Sequence, residues 1–89
     1  MALKVNHVLM LHIGTLFAAF LLHCLLLASK AGEYNTPGGK PAGLSDLFHL
    51  SVATGTTVGY GDVNPLNLPA RAVCWLQMIV SVYVVMLLA

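Results

Sequence analysis

The sequence predicts an all-α membrane protein in which two transmembrane helices flank a short re-entrant helix and a glycine-rich loop. Hydrophobic residues make up 58% of its 89 residues and charged residues only 8%, a composition that a soluble domain of this size would not place on its surface. Residues 8–28 and 72–89 contain no formally charged side chain, and each stretch approaches the roughly 20 residues that a helix needs to cross a bilayer. We therefore expect two spanning helices, at about 8–28 and about 69–89.

A secretory signal is the alternative interpretation of the first stretch, but its apolar run is longer than a typical signal core and no clean small-x-small cleavage site follows it. The net charge is +1, and the basic residues are scattered, so they form neither a nucleic-acid footprint nor a polybasic lipid-binding cluster. We expect no nucleic-acid partner. The basic residues are Lys4, Lys30, Lys40 and Arg71.

The segment between the spans begins with turn-forming residues and continues as a short helix. Residues 29–43 contain Gly, Pro, Ser and Asn in place of an apolar period, which predicts an exposed loop. Ser45 and Asp46 come next, and we expect an N-cap and an acidic first turn there. The predicted helix, at about 45–56, is too short to cross a membrane but suits a re-entrant segment, whose C-terminal partial negative charge favours a cation.

The stretch Thr54-Gly55-Thr56-Thr57-Val58-Gly59-Tyr60-Gly61-Asp62 follows. Glycine adopts positive φ at little cost, so Gly59 and Gly61 allow successive backbone carbonyls to point to one side of the loop. Unpaired carbonyls that face lipid cost several kcal/mol each, so such a backbone is tolerated at membrane depth only where it lines a space that holds water and ions. We therefore predict that residues 57–61 coordinate ions along an aqueous axis.

The second span begins after two prolines. Pro65 and Pro69 prevent one uninterrupted helix after Asp62, and Pro69 suits the first turn of the spanning helix. Along this helix an apolar stripe recurs at helical spacing. In a pore the stripe would line a water-filled cavity below the loop, and packing against another helix is the alternative. The stripe consists of Met78, Val82, Val85 and Ala89.

The first span contains a polar stripe, since His12, Thr15, Ala19 and His23 recur at helical spacing. Polar side chains within spans tend to face protein. Interhelical hydrogen bonding or snorkelling explains the histidines more simply than pH sensing or a proton path does. Cys24 and Cys74 lie within the apolar spans without metal-type spacing, and we expect them to be packing residues.

Residues 54–62 match the signature of the potassium-channel pore module, and the order of helix, loop, short helix, filter and helix resembles that module along essentially the whole chain. In size the chain is most similar to the miniature potassium channels encoded by large algal viruses. The resemblance implies a homotetramer in which an outer helix, a pore helix and an inner helix surround the filter. It implies K⁺ bound at Thr57, Val58, Gly59 and Tyr60, a filter closed by Gly61, filter support from Thr54 and Thr56, and Asp62 at the outer mouth.

Two aspects of the filter stay open at this point. Many relatives have paired aromatic residues on the pore helix that brace the filter, whereas this chain has His49 and Leu50 there, so filter rigidity does not follow from the resemblance. Asp62 has two interpretations: four copies could raise the local cation concentration at the mouth, or the side chain could make a purely structural hydrogen bond.

The predicted function is passive, potassium-selective conduction by a single pore domain spanning residues 1–89, surrounded by membrane lipid. The resemblance places both termini in the cytoplasm and implies a virion or host-cell membrane. A weakly selective cation pore is one alternative, and a non-conducting assembly subunit or membrane-perturbing hairpin is another. No nucleophile, base or metal constellation predicts an enzyme. We expect no cofactor besides K⁺ as the permeant ion, no arginine-rich voltage sensor and no soluble domain after the second span.

Overall fold

A computed structural model describes residues 4–56, 59 and 61–87 of the chain. Two of its helices, the first and the last, are long and apolar enough to cross a membrane. A shorter helix lies between them and packs against both. In chain order the elements are α1 (Val5–Ala28), β1 (Tyr34–Asn35), a 3₁₀ turn (Pro37–Gly39), α2 (Leu44–Gly55), β2 (Asn64–Pro65) and α3 (Leu68–Met86).

The helix α1 begins at Val5, earlier than the predicted residue 8, and ends at the predicted Ala28. Its last turn closes through the Ser29 N–H, which donates to the Leu25 carbonyl at 3.0 Å. Lys30 then adopts a φ of 61°, a left-handed conformation that commonly ends a helix. Large apolar side chains remain exposed along α1, among them Val5, Met10, Leu21 and Leu25, as expected for a helix that meets lipid.

The N-terminus of α2 differs from the prediction. The N-cap residue is Gly43 rather than Ser45, and the helix begins at Leu44. Asp46 lies at the third helical position, where its Oδ2 accepts a hydrogen bond of 2.8 Å from the Gly43 N–H. The acid in the first turn was thus predicted correctly, but the cap position was wrong because this carboxylate reaches back to a glycine that has no side chain of its own.

Buried apolar and aromatic contacts hold α2 between the two long helices. Leu47 and Leu50 are buried, and Leu50 belongs to a small core with Val63 and Cys74. On the other side, the Phe48 ring lies 5.6 and 5.4 Å from two aromatic rings of α1, centroid to centroid; these rings belong to Phe17 and Phe20. Such aromatic pairs stabilise a contact by more than the area that they bury would give. Contacts on both faces therefore hold α2 in place.

The helix α3 begins at Leu68, with Pro69 in its first turn as predicted. Asn67 is the N-cap residue, and its side chain accepts from the Ala70 N–H at 3.4 Å. The helix extends to Met86, whereas the sequence predicted it to about residue 89. The predicted position Ala89 lies outside the described residues.

The region between α1 and α2, predicted as an exposed loop, is tied to the segment that precedes α3. Strands β1 and β2 pair antiparallel, with Tyr34 opposite Pro65 and Asn35 opposite Asn64. Asn67 extends this connection, since its Oδ1 accepts from the Glu33 N–H and its Nδ2 donates to the Ala31 carbonyl. The prediction of exposure was therefore incomplete: most of the loop is exposed, but Gly32 and Thr36 are buried.

Candidate functional site

The glycine-rich loop leaves the C-terminus of α2 and returns toward α3. The Gly59 N–H donates to the Ala53 carbonyl at 3.2 Å, which folds the loop back onto the last turn of the helix. Gly59 has a φ of 60° and Gly61 a φ of 80°, both in the left-handed region that glycine adopts without strain. Of the predicted ion-coordinating residues, Thr57, Val58 and Tyr60 lie outside the described residues.

Side chains hold the C-terminal end of the loop. Asn64 Nδ2 donates to the Gly61 carbonyl at 2.6 Å, so that oxygen is already engaged with the protein. The Asp62 Oδ1 accepts from the Val63 N–H at 3.0 Å. His49 Nε2 lies 3.1 Å from the Asp62 carboxylate, which connects the loop to the middle of α2. Asp62 is nevertheless exposed at 46% of its side-chain surface, so its negative field also reaches solvent.

The threonines predicted to support the loop belong to the end of α2. The Thr56 Oγ1 donates to the Val52 carbonyl at 2.6 Å within the helix. Thr54 lies near Cys74 of α3, since both residues line the cavity next to the loop. The structure thus places Thr54 between two helices and gives Thr56 a contact within α2.

A buried polar contact that the sequence analysis missed fixes the direction of α2. Gln77 of α3 is 2% exposed, and its Nε2 donates to the Ser51 carbonyl at 2.7 Å. Ser51 Oγ donates in turn to the Leu16 carbonyl of α1 at 2.5 Å. The sequence did contain a signal for this contact: Gln77 is a polar residue in the middle of an apolar span, and such residues generally face protein.

The predicted cavity-lining stripe of α3 borders two separate hollows. Met78 lines a cavity of about 300 Å³ next to the loop, together with Gly59, Gly61 and Asp62. Val82 and Val85 line a second cavity of about 380 Å³ under the C-terminus of α2. Met78, Val82 and Val85 are all exposed in the single chain. Ala89 lies outside the described residues.

The two histidines of the polar stripe have different surroundings. His23 is completely buried, and its Nδ1 lies 2.6 Å from the Tyr34 hydroxyl, so its contacts are of the hydrogen-bonding kind that the sequence favoured. His12 borders the cavity under α2, and its Nδ1 is buried with no hydrogen-bond partner among the residues that the structure describes. The helical spacing alone does not distinguish these environments.

The α2 dipole and Asp62 together favour a cation. The C-terminus of a helix has a partial negative charge of about half an electron, and this end of α2 meets a loop followed by the acidic Asp62. Between these groups lie two left-handed glycines, Gly59 and Gly61. The negative end of α2 and the Asp62 carboxylate give this region a potential that suits a cation better than an anion.

Comparison with known proteins identifies one family. The profile of a family described as ion channels matches residues 8–89. This range includes all of α1 except its first three residues, together with α2, the glycine-rich loop and α3. No curated protein and no solved structure matches the chain.

Proposed function

Because this chain belongs to the ion-channel family, we propose that it forms a potassium-selective pore through which K⁺ moves passively down its gradient. The family match and the two apolar helices indicate an integral membrane protein. The observation that supports potassium selectivity most is the pair of left-handed glycines, Gly59 and Gly61, at the C-terminus of a short buried helix. The sequence around them contains the run Thr57-Val58-Gly59-Tyr60-Gly61.

In this proposal the backbone carbonyls of residues 57–60 replace the hydration shell of K⁺. The contacts of Ser51 and Gln77 hold α2 as a re-entrant pore helix that directs its negative end to the ion. Asp62 acts in two ways: its hydrogen bonds brace the outer end of the filter, and its exposed charge attracts cations to the mouth. Both interpretations that the sequence left open therefore contribute.

One chain cannot encircle an ion, so we propose a homotetramer with both termini in the cytoplasm. Each chain would contribute one loop to rings of oxygens around a central axis. The exposed apolar surface of α3 outside the predicted cavity stripe is suited to contacts with lipid and with neighbouring copies, because apolar side chains at membrane depth pack against lipid tails or other helices. This surface includes Trp75, Leu76, Ile79 and Tyr83.

Ion flux from vesicles tests conduction, and native mass spectrometry tests assembly. Purified protein is reconstituted into K⁺-loaded vesicles, and K⁺ efflux is compared with Na⁺ efflux from matched vesicles. Efflux of K⁺ alone, blocked by Ba²⁺, is the expected result, since Ba²⁺ is close to K⁺ in size but binds more tightly through its second charge. Native mass spectrometry should give four times the 9.5 kDa chain mass. Equal efflux of both ions would favour a weakly selective pore, and no efflux a non-conducting hairpin.

A further inference from the structure

His23 of α1 and Cys74 of α3 are distant in sequence but meet where these two helices pack together. The Cys74 Sγ lies 3.7 Å from the His23 Nε2. Both side chains are buried, at 6% and 0% exposure. Tyr34 of β1 covers the pair from the loop side, with its ring 5.3 Å from the imidazole. A thiol and an imidazole nitrogen thus face each other in a confined space.

We propose that Cys74 Sγ and His23 Nε2 form a binding site for a thiophilic divalent cation of the zinc and cadmium class. Zinc binds cysteine sulfur at about 2.3 Å and histidine nitrogen at about 2.0–2.1 Å, so two such ligands at a tetrahedral angle lie about 3.6 Å apart. The observed 3.7 Å matches that separation. The two donor atoms are therefore already at the separation that a shared ion requires.

Tyr34 prepares the histidine for this role. The Tyr34 hydroxyl lies 2.6 Å from the His23 Nδ1, the ring nitrogen that would not contact the ion. Metal-binding histidines almost always make such a hydrogen bond through their second nitrogen, because it fixes the tautomer and the ring orientation. Tyr34 is thus a positioning residue that presents the Nε2 lone pair to the ion.

Cys74 has a route to solvent through the cavity next to the glycine-rich loop. Cys74 lines this cavity together with Asp62 and Arg71, so one acidic and one basic side chain face the entering ion. On binding, the S–H bond breaks, a sulfur–metal bond forms and the proton leaves to water in the cavity that Cys74 lines, and water molecules that enter with the ion from this cavity complete the coordination. Because the structure describes no cluster of three His, Cys, Asp or Glu side chains, this is a site with two protein ligands.

Occupation of the site would affect the loop through Thr54. Thr54 lines the same cavity as Cys74 and lies at the end of α2, directly before the loop. An ion bound at the sulfur, with its water ligands, occupies space beside Thr54 and so disturbs the packing of α2 on α3. We therefore expect the ion to reduce the K⁺ current; this consequence rests on the proposed function, whereas binding itself does not.

Cadmium binding to the purified protein tests the site directly, through the ultraviolet charge-transfer absorption of a thiolate bound to Cd²⁺. We expect Cys74→Ser to abolish the band and Cys24→Ser, a matched control within the same pair of spans, to retain it. Tyr34→Phe should weaken binding about 10- to 100-fold, the usual effect of losing such a hydrogen bond, and His23→Gln at least as much. Helical circular dichroism identifies the variants that fold, and Tyr34→Phe keeps the test valid if His23→Gln does not fold.

A band that persists in Cys74→Ser, or Cd²⁺ affinity that is unchanged in Tyr34→Phe, would overturn the proposed site. In bilayers, external Cd²⁺ should reduce the K⁺ current of the native protein and of Cys24→Ser but not of Cys74→Ser. If no variant conducts while the Cys74-dependent band is present, the channel proposal fails and the metal site stands. If current flows and Cd²⁺ neither binds nor inhibits, the metal site fails alone.

Discussion

The imidazole of His49, in the middle of α2, lies 3.1 Å from the carboxylate of Asp62, the first residue after the glycine-rich loop. This pair spans the outer side of the loop and connects its end to the helix that precedes it. The sequence left the bracing of the filter open, because this chain has His49 and Leu50 where many members of the potassium-channel family have paired aromatic residues. His49 nevertheless contacts Asp62, the residue that directly follows the loop.

Disrupting this pair should produce non-additive effects on channel opening. We expect His49→Gln and Asp62→Asn each to lower the open probability, and the double variant to lower it by less than the sum of the two. A coupling of about 0.2–1 kcal/mol is expected because both side chains are partly exposed and surface pairs are weak. Single-channel recordings of the four proteins give this coupling, and strictly additive effects would show that the contact does not influence the open state.

The salt dependence of the current separates cation attraction by Asp62 from its hydrogen bonding to His49. Asp62→Asn should lower the current most at low ionic strength, because the field of an exposed carboxylate is screened beyond about 10 Å at 0.1 M salt. His49→Gln leaves that carboxylate in place, so its effect should change little with salt. Equal salt dependence in the two variants would contradict cation attraction by Asp62.

Alanine at Gly59 should abolish the current. The φ of 60° at Gly59 lies in the left-handed region, which costs an L-residue roughly 1–2 kcal/mol, and a tetramer incurs this cost four times. Within the single chain, no atom beyond the adjacent residues lies within 4 Å of the added Cβ, so the chain should still fold. The measurement is K⁺ flux together with the tetramer band on gels, and native flux from an intact Gly59→Ala tetramer would refute the assignment of Gly59 to the filter.

Alanine at Gly55 should destabilise the protein, whereas alanine at Gly14 should not. At Gly55 an added Cβ would overlap the Leu16 side chain and lie 2.9 Å from Gln77 Nε2, which disturbs the contacts that orient α2. Overpacking of this kind costs about 1–3 kcal/mol. Gly14, also in a helix, has nothing within 4 Å of its Cβ position. Thermal melting of the two variants measures the difference, and similar melting temperatures would argue against tight packing around Gly55.

Alkaline pH should weaken the structure through Tyr34. Burial, with smaller contributions from neighbouring Cys74 and Cys24, raises the pKa of Tyr34 from 10.0 to about 12. The folded state therefore holds the phenol proton more tightly than the unfolded state does. This contribution to stability is complete below pH 10 and is lost as the pH rises from 10 to about 12.

The comparison for this effect is Tyr34→Phe, which has no phenol to ionise. Thermal stability of the native protein should fall more steeply than that of Tyr34→Phe across this pH range, since the two proteins differ only in this phenol. Parallel curves would mean that Tyr34 ionises as easily in the folded protein as in the unfolded one.

The helices could be predicted from the sequence, and the contacts between them could not. Apolar length sets a spanning helix, so α1 and α3 were predicted with small errors at their ends. Turn residues likewise indicated the break before α2, although the cap moved from Ser45 to Gly43 because the Asp46 carboxylate reaches back along the chain. These features depend on residues that are close together in the sequence, so local sequence patterns predict them.

The missed contacts join residues far apart in the chain. Gln77 meets Ser51 across 26 positions and Cys74 meets His23 across 51, and no local pattern records which faces of two helices come together. The pairing of β1 with β2 was missed for a related reason, since two-residue strands are too short to show an alternating pattern. The sequence did indicate that polar residues in a span face protein, but not which partner they meet.

The reversal potential under bi-ionic conditions tests potassium selectivity most directly. Purified protein in a planar bilayer is recorded with K⁺ on one side and Na⁺ at equal concentration on the other. If the carbonyls of the loop replace the hydration shell of K⁺, the current should reverse far from zero, on the side that indicates K⁺ permeation, and should shift in sign when the solutions are exchanged. A reversal potential at zero in both arrangements would mean that Na⁺ and K⁺ permeate equally and would contradict the selective filter.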